Sequence, residues 1–89
     1  MQGRRLPDGP IADHFEPGDY QLSEGATNLY VALPRSPPGR PAFAMLPLGP
    51  GGWSVTEEED GTLTVSPSIH DTDEGGYHGW LERGVWREC

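Results

Sequence analysis

Residues 53–65 read WSVTEEEDGTLTV and residues 77–88 read YHGWLERGVWRE, and these two stretches decide the fold. In the first stretch, Trp53–Thr56 and Thr62–Val65 alternate apolar and polar side chains, which is typical of strands buried on one face. Asp60-Gly61 lies between them and supplies the positive-φ residue that a tight turn needs. The pattern predicts an antiparallel hairpin.

The second stretch predicts another hairpin. Tyr77–Glu82 and Val85–Glu88 flank Arg83-Gly84, a two-residue loop with glycine in the second position. Large rings must supply much of the core, because the chain contains few aliphatic residues. We therefore expect Trp80 or Trp86 to be mostly buried against the hairpin of residues 53–65.

Shorter strands are predicted upstream. Tyr20–Ser23 and Asn28–Leu33 have strand-like alternation, and Ala42–Leu48 is an apolar run in which Pro47 indicates an edge position. No window shows helical periodicity over ten or more residues. The predicted fold is mainly β: a small single-domain antiparallel sheet or sandwich of short strands and hairpins.

Composition limits the domain organisation. The chain has 89 residues, including 13 Gly and 10 Pro, which allows one domain and only a modest core. We expect residues 1–17 to form an extended, proline-rich N-terminal arm and residues 18–89 to form the small β domain. Self-association, a protein partner or a bound ion would each add stability to so small a core. The lone Cys89 excludes an internal disulfide.

Charge and hydropathy narrow the partners. The formal net charge of −8 would repel phosphate backbones, so direct nucleic-acid binding is not expected. No run of ~20 apolar residues could cross a membrane, and no signal peptide is recognisable. We expect a protein partner and a cytoplasmic location.

The segment His70–His78 is the densest polar cluster of the chain. Its candidate metal ligands are His70, Asp71, Asp73 and His78, and with Glu82 the spacing of its acids matches a calcium loop. Such a loop needs a helix on each side, whereas here Pro67 precedes and a hairpin follows. The alternative is a solvated acidic turn, and we expect neither a metal nor a cofactor.

A second motif places hydroxyl groups near an imidazole. Ser66-Pro67-Ser68-Ile69-His70 carries two serines, and Asp13-His14 or His70-Asp71 would be an acid–base pair. No nucleophile elbow of the Gly-x-Ser-x-Gly type is present. The alternative is that the serines cap a turn around Pro67, and on this basis no catalytic residue is predicted.

Candidate binding residues are aromatic or acidic. Aromatic rings commonly line ligand pockets, and an acidic hairpin tip can engage a basic surface. The structural alternatives are an aromatic core and a solvated turn. The candidates are Trp53, Tyr77, His78, Trp80, Trp86, Glu57, Glu58, Glu59 and Asp60.

The C-terminal part also resembles known sequences. Residues 61–69 read GTLTVSPSI and residues 77–86 read YHGWLERGVW. Over residues 52–88 this pattern resembles small uncharacterised phage and prophage proteins and, more distantly, DUF6527-like proteins. The latter have a cysteine-rich segment that looks zinc-binding, but Tyr77 stands where their tail cysteine would be. Only His78 carries over as a possible ligand, and the resemblance implies a phage or prophage origin.

These observations predict a non-catalytic phage accessory protein that acts by binding a host protein, a defence-system protein or a small ligand. A virion component, such as a decoration or head–tail accessory protein, is one alternative, and a metal-binding module is another. The expected location is the cytoplasm of the infected host cell or, for the virion alternative, the virion itself.

Overall fold

Two four-stranded sheets share one hydrophobic core. The computed structural model describes residues 1–36, 38–39, 42–72 and 75–89. The core includes Leu29, Val31 and Leu46 from the first sheet, and Leu63, Val65, Ile69 and Leu81 from the second. The predicted mainly β fold is therefore confirmed.

The first sheet has the strand order β1-β2-β3-β4. β1 pairs with β2 in parallel, whereas β2–β3 and β3–β4 are antiparallel. Between β2 and β3 the chain makes a short 3₁₀ turn, Glu24–Ala26. The strands are β1 (Arg4–Arg5), β2 (Asp19–Leu22), β3 (Asn28–Ala32) and β4 (Phe43–Pro47).

The second sheet is an antiparallel meander in the order β5-β6-β7-β8. Both predicted hairpins lie in it, and β6 and β7 also pair with each other. The strands are β5 (Ser54–Glu57), β6 (Leu63–His70), β7 (His78–Glu82) and β8 (Val85–Glu88).

The N-terminal segment ties the two sheets together. The Gly3 amide donates to the Gly84 carbonyl and the Trp86 amide donates to the Met1 carbonyl, which places the first residues beside β8. The chain then crosses to the first sheet as β1. The indole of buried Trp86 completes this junction by donating to the Gly18 carbonyl over 2.8 Å. The division of the chain at residue 17 stays a prediction.

A buried carboxylate anchors the same junction. Asp19 is 3% exposed and accepts from Arg4 Nε over 3.1 Å and from Arg4 Nη2 over 2.7 Å. Its Oδ2 also accepts from the Glu16 amide. Burial by itself would raise the pKa of Asp19, but the hydrogen bonds from Arg4 and Glu16 and the charge of Arg4 lower it overall.

The structure decides two points about particular side chains. A turn was expected around Pro67, yet β6 continues through it to His70. Of the two rings expected as alternatives for the core, Trp80 is 38% exposed, and its neighbours Leu81 and Gly79 face inward. Trp86 is the ring that is buried, at 3% exposure.

Replacing Trp86 with alanine should cost roughly 3–5 kcal/mol of unfolding free energy, because it removes a core ring and its bond to Gly18. That is a large share of the stability of a small domain. Trp80→Ala is the matched control and should cost about 1 kcal/mol or less. Urea unfolding followed by circular dichroism measures both; equal losses would contradict the assignment of Trp86 to the core.

Asp19→Asn should destabilise the protein by roughly 1–3 kcal/mol at pH 7, because the buried hydrogen bonds lose their charge. The folded-state pKa of Asp19 lies below its ordinary 3.8, so its contribution is present above that value and is lost as pH falls through the lowered pKa. The stability difference between wild type and variant should therefore narrow from pH 7 to pH 3. Thermal unfolding across this range tests it, with exposed Asp13→Asn as control; a constant difference would refute the role of the charge.

Candidate functional site

A bulge in β6 forms the most unusual feature of the surface. Val65 pairs with Leu81 and Ile69 pairs with Gly79, so three residues of β6 lie opposite Trp80 alone. Those three are Ser66, Pro67 and Ser68. Bulges of this kind re-aim side chains and are frequent beside active sites. Proline is tolerated here because a bulged position need not donate to the ladder.

The bulge shortens the segment Ser66–Ser68, which is called the serine segment below. Val65 and Ile69 face partners two residues apart on β7, a span of roughly 7 Å, whereas an extended β6 would need about 13 Å. Both Val65 and Ile69 are buried on the inner face. The serines that flank Pro67 are next to these inward residues and therefore belong to the outer face, together with His70. The fold thus gathers two hydroxyls and an imidazole on one short stretch of surface.

Two imidazoles stack beside the bulge. His70 and His78 are paired across β6 and β7, and their ring centroids are 4.2 Å apart with an interplanar angle of 23°. The ring of His78 lies 6.2 Å from that of Trp80. This row of rings forms one wall next to the serines, and a neutral imidazole there is able to accept a proton from a hydroxyl.

Trp53 fixes the bulge from the other side. Its indole Nε1 donates to the Ser68 carbonyl over 3.3 Å, and its ring packs against the edge of the core. Ser54, the next residue, pairs with Ser66 across β5 and β6. Ser68 is half-buried while Ser66 is exposed, so Ser68 is the more firmly enclosed of the two.

Gly79 allows the core to fit beneath the histidines. A Cβ at Gly79 would lie 2.1 Å from the Arg87 carbonyl oxygen and 2.6 Å from the Tyr77 hydroxyl. Only glycine avoids these clashes. The Tyr77 hydroxyl is buried and has no hydrogen-bond partner among the described residues, and burial raises its pKa. Tyr77 also packs edge-on against Trp86, so it belongs to the core.

The predicted metal ligands do not converge in the described part of the chain. His70 and His78 stack face to face, and the Asp71 carboxyl lies against Gly76 in the loop between β6 and β7. Asp73 lies outside the described residues. Among residues 1–36, 38–39, 42–72 and 75–89, no three His, Cys, Asp or Glu side chains could hold a metal together.

The other predicted binding residues separate into two groups. Tyr77 and Trp86 are core residues, whereas Trp53, His78 and Trp80 reach the surface around the bulge. The acidic turn lies elsewhere, at the far end of the β5–β6 hairpin. There Glu57 pairs with Arg5, Glu58 accepts from Thr64, Asp60 accepts from Thr62, and Glu59 is exposed. The acidic cluster and the ring cluster are therefore separate surfaces.

A comparison with protein families identifies the chain. The family model described as "Bacterial ubiquitination-like system serine protease (BubE)" matches residues 8–89. The chain belongs to the BubE family. No curated protein and no solved structure matches it significantly.

This finding corrects three expectations. The match is to the BubE family and not to phage, prophage or DUF6527-like proteins. A non-catalytic phage accessory protein, with a virion component or a metal-binding module as alternatives, was the wrong functional prediction. The expectation that the chain is not an enzyme was wrong too, because the family is described as one of serine proteases. Separately, the only helical element among the described residues is the three-residue turn Glu24–Ala26, so none of the described helices could span a membrane.

Sequence reasoning considered Ser66, Ser68 and His70 but assigned the serines to a turn. One local signal was available. Ile69 is apolar and lies between Ser68 and His70, which favours an inward Ile69 with Ser68 and His70 on the opposite face of one strand. Because a turn was expected around Pro67, that strand was not extended to His70.

Trp53→Phe should loosen the serine segment, because it keeps a ring but removes the donor to the Ser68 carbonyl. We expect a loss of about 1 kcal/mol in unfolding free energy. Trp80→Phe makes the same ring change where the indole has no hydrogen bond among the described residues, and it should stay within about 0.5 kcal/mol. Urea unfolding compares the two, and equal effects would argue against the bond.

Proposed function

We propose that this chain is a serine peptidase of a bacterial ubiquitination-like system, with Ser68 as the nucleophile and His70 as its general base. The observation that carries the proposal is the bulge in β6, which gathers Ser66, Ser68 and His70 on one face beside His78. The family description, a serine protease, supports the same chemistry. A serine hydroxyl needs an adjacent base to become a nucleophile, and imidazole is the usual one.

Ser68 is favoured over Ser66 by position and rigidity. It is two residues from His70 on the same strand face, a spacing of roughly 7 Å between Cα atoms that two side chains can close. Its backbone is held on one side by the Trp53 indole and on the other by buried Ile69. A nucleophile benefits from such support because misplacement by about 1 Å can cost roughly 10²-fold in rate.

His78 is proposed to orient the base. Its ring stacks on that of His70 and restricts the rotation of His70 about its side-chain bonds. A base held by a third group is the common logic of serine triads, although the third group is usually a carboxylate. Here the stacked ring of His78 has the orienting role that the carboxylate has in such triads.

The reaction follows from these roles. Ser68 Oγ loses its proton to a His70 ring nitrogen and attacks the peptide carbonyl carbon, which gives a tetrahedral oxyanion. The C–N bond breaks as His70 returns the proton to the leaving amine, and the acyl group stays on Ser68 as an ester. Water then loses a proton to His70 and attacks the ester, and His70 gives that proton to Ser68 Oγ as the ester C–O bond breaks, which releases the carboxylic acid product and the free serine.

The Ser68 amide is the proposed donor to the oxyanion. A bulge leaves amides of its extra residues outside the ladder, and Pro67 has no amide to offer. Ser66 pairs with Ser54, and the hydrogen bond from the Glu58 amide to the Thr62 carbonyl makes this a hydrogen-bonded pair, so the Ser66 amide is used by β5. Donors of this kind, aimed at the charge that develops in the transition state, are commonly worth about 10²–10³ in rate.

The substrate of a peptidase in such a system is a protein, so we still propose a protein partner. We also still propose that the protein acts in the cytoplasm. We place no metal or cofactor in the reaction, since the proposed roles of Ser68, His70 and His78 account for each proton and bond.

Ser68→Ala should lower peptide cleavage by at least about 10³-fold, while the matched control Ser66→Ala should stay within about tenfold of wild type. His70→Ala should match Ser68→Ala. His78→Phe keeps the stacked ring and should retain more activity than His78→Ala. Cleavage of a proteome-derived peptide library, read by mass spectrometry, measures the five variants and the wild type.

Several outcomes would contradict the proposal. A wild-type protein that cleaves no peptide of the library would refute peptidase activity. Loss of activity in Ser66→Ala but not in Ser68→Ala would refute the choice of nucleophile. If His78→Phe were as inactive as His70→Ala, His78 would have to handle a proton itself.

Dialysis against EDTA should leave the rate within about twofold, because no proposed step uses a metal. A serine-directed fluorophosphonate should abolish cleavage. A large loss of the cleavage rate on EDTA treatment, restored by zinc or calcium, would mean that the reaction needs a metal ion and does not depend on Ser68 alone.

A further inference from the structure

The outer edge of β4 has backbone groups that point away from the sheet. The Leu33 amide donates to the Ala42 carbonyl, which fixes Leu33–Ala42 as a hydrogen-bonded antiparallel pair. Hydrogen-bonded and non-hydrogen-bonded pairs alternate along such a ladder. Ala32–Phe43 and Tyr30–Met45 are therefore non-hydrogen-bonded pairs, as their register shows. The amides and carbonyls of Phe43 and Met45 thus face outward.

This edge is uncovered for only part of its length. β4 is the last strand of its sheet, and at its C-terminal end the Trp53 amide donates to the Pro47 carbonyl. Among the residues that the structure describes, no strand pairs with Phe43 or Met45 on the outer side. Two donors and two acceptors are therefore available at strand spacing, which is the geometry that peptides use when they extend a sheet.

A groove runs from this edge to the candidate active site. Its volume is about 280 Å³, which is small for a drug-sized ligand but suits a single side chain. Leu33, Ala44 and Leu46 line it on the β4 side; Trp53, Ile69 and His70 line it on the β6 side. The groove thus has a mostly apolar interior, and the proposed base His70 lies with Asp71 and Thr72 at its polar end.

We propose that the substrate binds as an extended peptide that adds to the outer edge of β4 and places one apolar side chain in this groove. The inference rests on the proposed function, because it names the substrate geometry of the same site. Alternate residues of an added strand point to opposite faces, so one side chain enters the groove while its neighbours face outward. The backbone bonds are independent of sequence, and the groove supplies the selectivity.

The continuity with the catalytic residues supports this occupant. Trp53 lines the groove and also holds the Ser68 carbonyl, and Ile69 lies between Ser68 and His70. A side chain seated in the groove would therefore lie against Trp53 and Ile69, the two residues that hold the Ser68 backbone. An apolar side chain is favoured, because most of the lining is aliphatic or aromatic.

Binding is best measured without turnover, in ¹⁵N-labelled Ser68→Ala protein. The probes are end-blocked octapeptides of alternating serine and threonine with one central leucine, and the same peptide with aspartate in place of leucine. At 1 mM the leucine peptide should shift the amide signals of Phe43 and Met45, and the aspartate peptide should bind at least about tenfold more weakly.

The edge bonds are tested by Met45→Pro, which removes an outward amide that β3 does not use. In the Ser68→Ala background, this substitution should lower the affinity for the leucine peptide at least about tenfold. Met45→Ala changes the same side chain but keeps the amide, and its affinity for the leucine peptide should stay within about threefold of that of the Ser68→Ala protein. In otherwise wild-type protein, Met45→Pro should raise KM and leave kcat nearly unchanged. Thermal unfolding confirms that both variants fold.

These results separate the two proposals. If activity maps to Ser68 but the leucine peptide leaves Phe43 and Met45 unshifted, or Met45→Pro binds like wild type, the docking proposal is wrong. Equal binding of the leucine and aspartate peptides would contradict the role of the groove. If the leucine peptide docks at β4 while Ser68→Ala keeps full activity, the docking site stands and the assignment of the nucleophile falls.

Discussion

The burial of Val65 and Ile69 on the same inner face is the constraint on which the site depends. Both side chains are almost fully buried, and their partners Leu81 and Gly79 are only two residues apart on β7. The three residues of β6 that lie opposite Trp80 must therefore bulge outward, with Pro67 at their centre. The burial of Val65 and Ile69 in the core thus places the serine segment on the surface, next to His70 and His78.

The rest of the fold stabilises this arrangement from behind. The N-terminal residues bond to β8 and then enter the first sheet, where Arg4 meets buried Asp19. Trp86 lies at this crossing, and Gly79 gives Tyr77 the space to pack beneath the histidines. As a result the edge of β4 faces the end of β6 across a small apolar groove. The proposed catalytic and substrate-binding features are thus contributed by both sheets.

Much of the fold follows from local sequence patterns. The hairpins at Asp60-Gly61 and Arg83-Gly84 were predictable because turn chemistry and strand alternation agree there. The edge position of Pro47 followed from its missing amide. In contrast, the choice between Trp80 and Trp86 for the core was open, because both lie at alternating positions of one ribbon and only the packing of the N-terminal segment decides between them.

The candidate site was harder to predict, because it depends on a register shift between distant segments. Nothing in residues 66–70 alone shows that two residues are in excess relative to β7. The stacking of His70 on His78 also arises from strand pairing across a loop. The acidic cluster Glu57–Asp60 was a candidate binding surface because of its charge. Three of its four acids, however, form an ion pair or a hydrogen bond with another residue of the protein.

The most direct test of the account is to locate the covalent adduct of a fluorophosphonate by peptide mass spectrometry. The reagent phosphonylates an activated serine with loss of fluoride, so it reports the nucleophile without knowledge of the substrate. The account predicts one adduct, on Ser68, which is lost in His70→Ala and kept in Ser66→Ala. An adduct on Ser66, on a serine outside the bulge, or on Ser68 with equal yield in His70→Ala would contradict it.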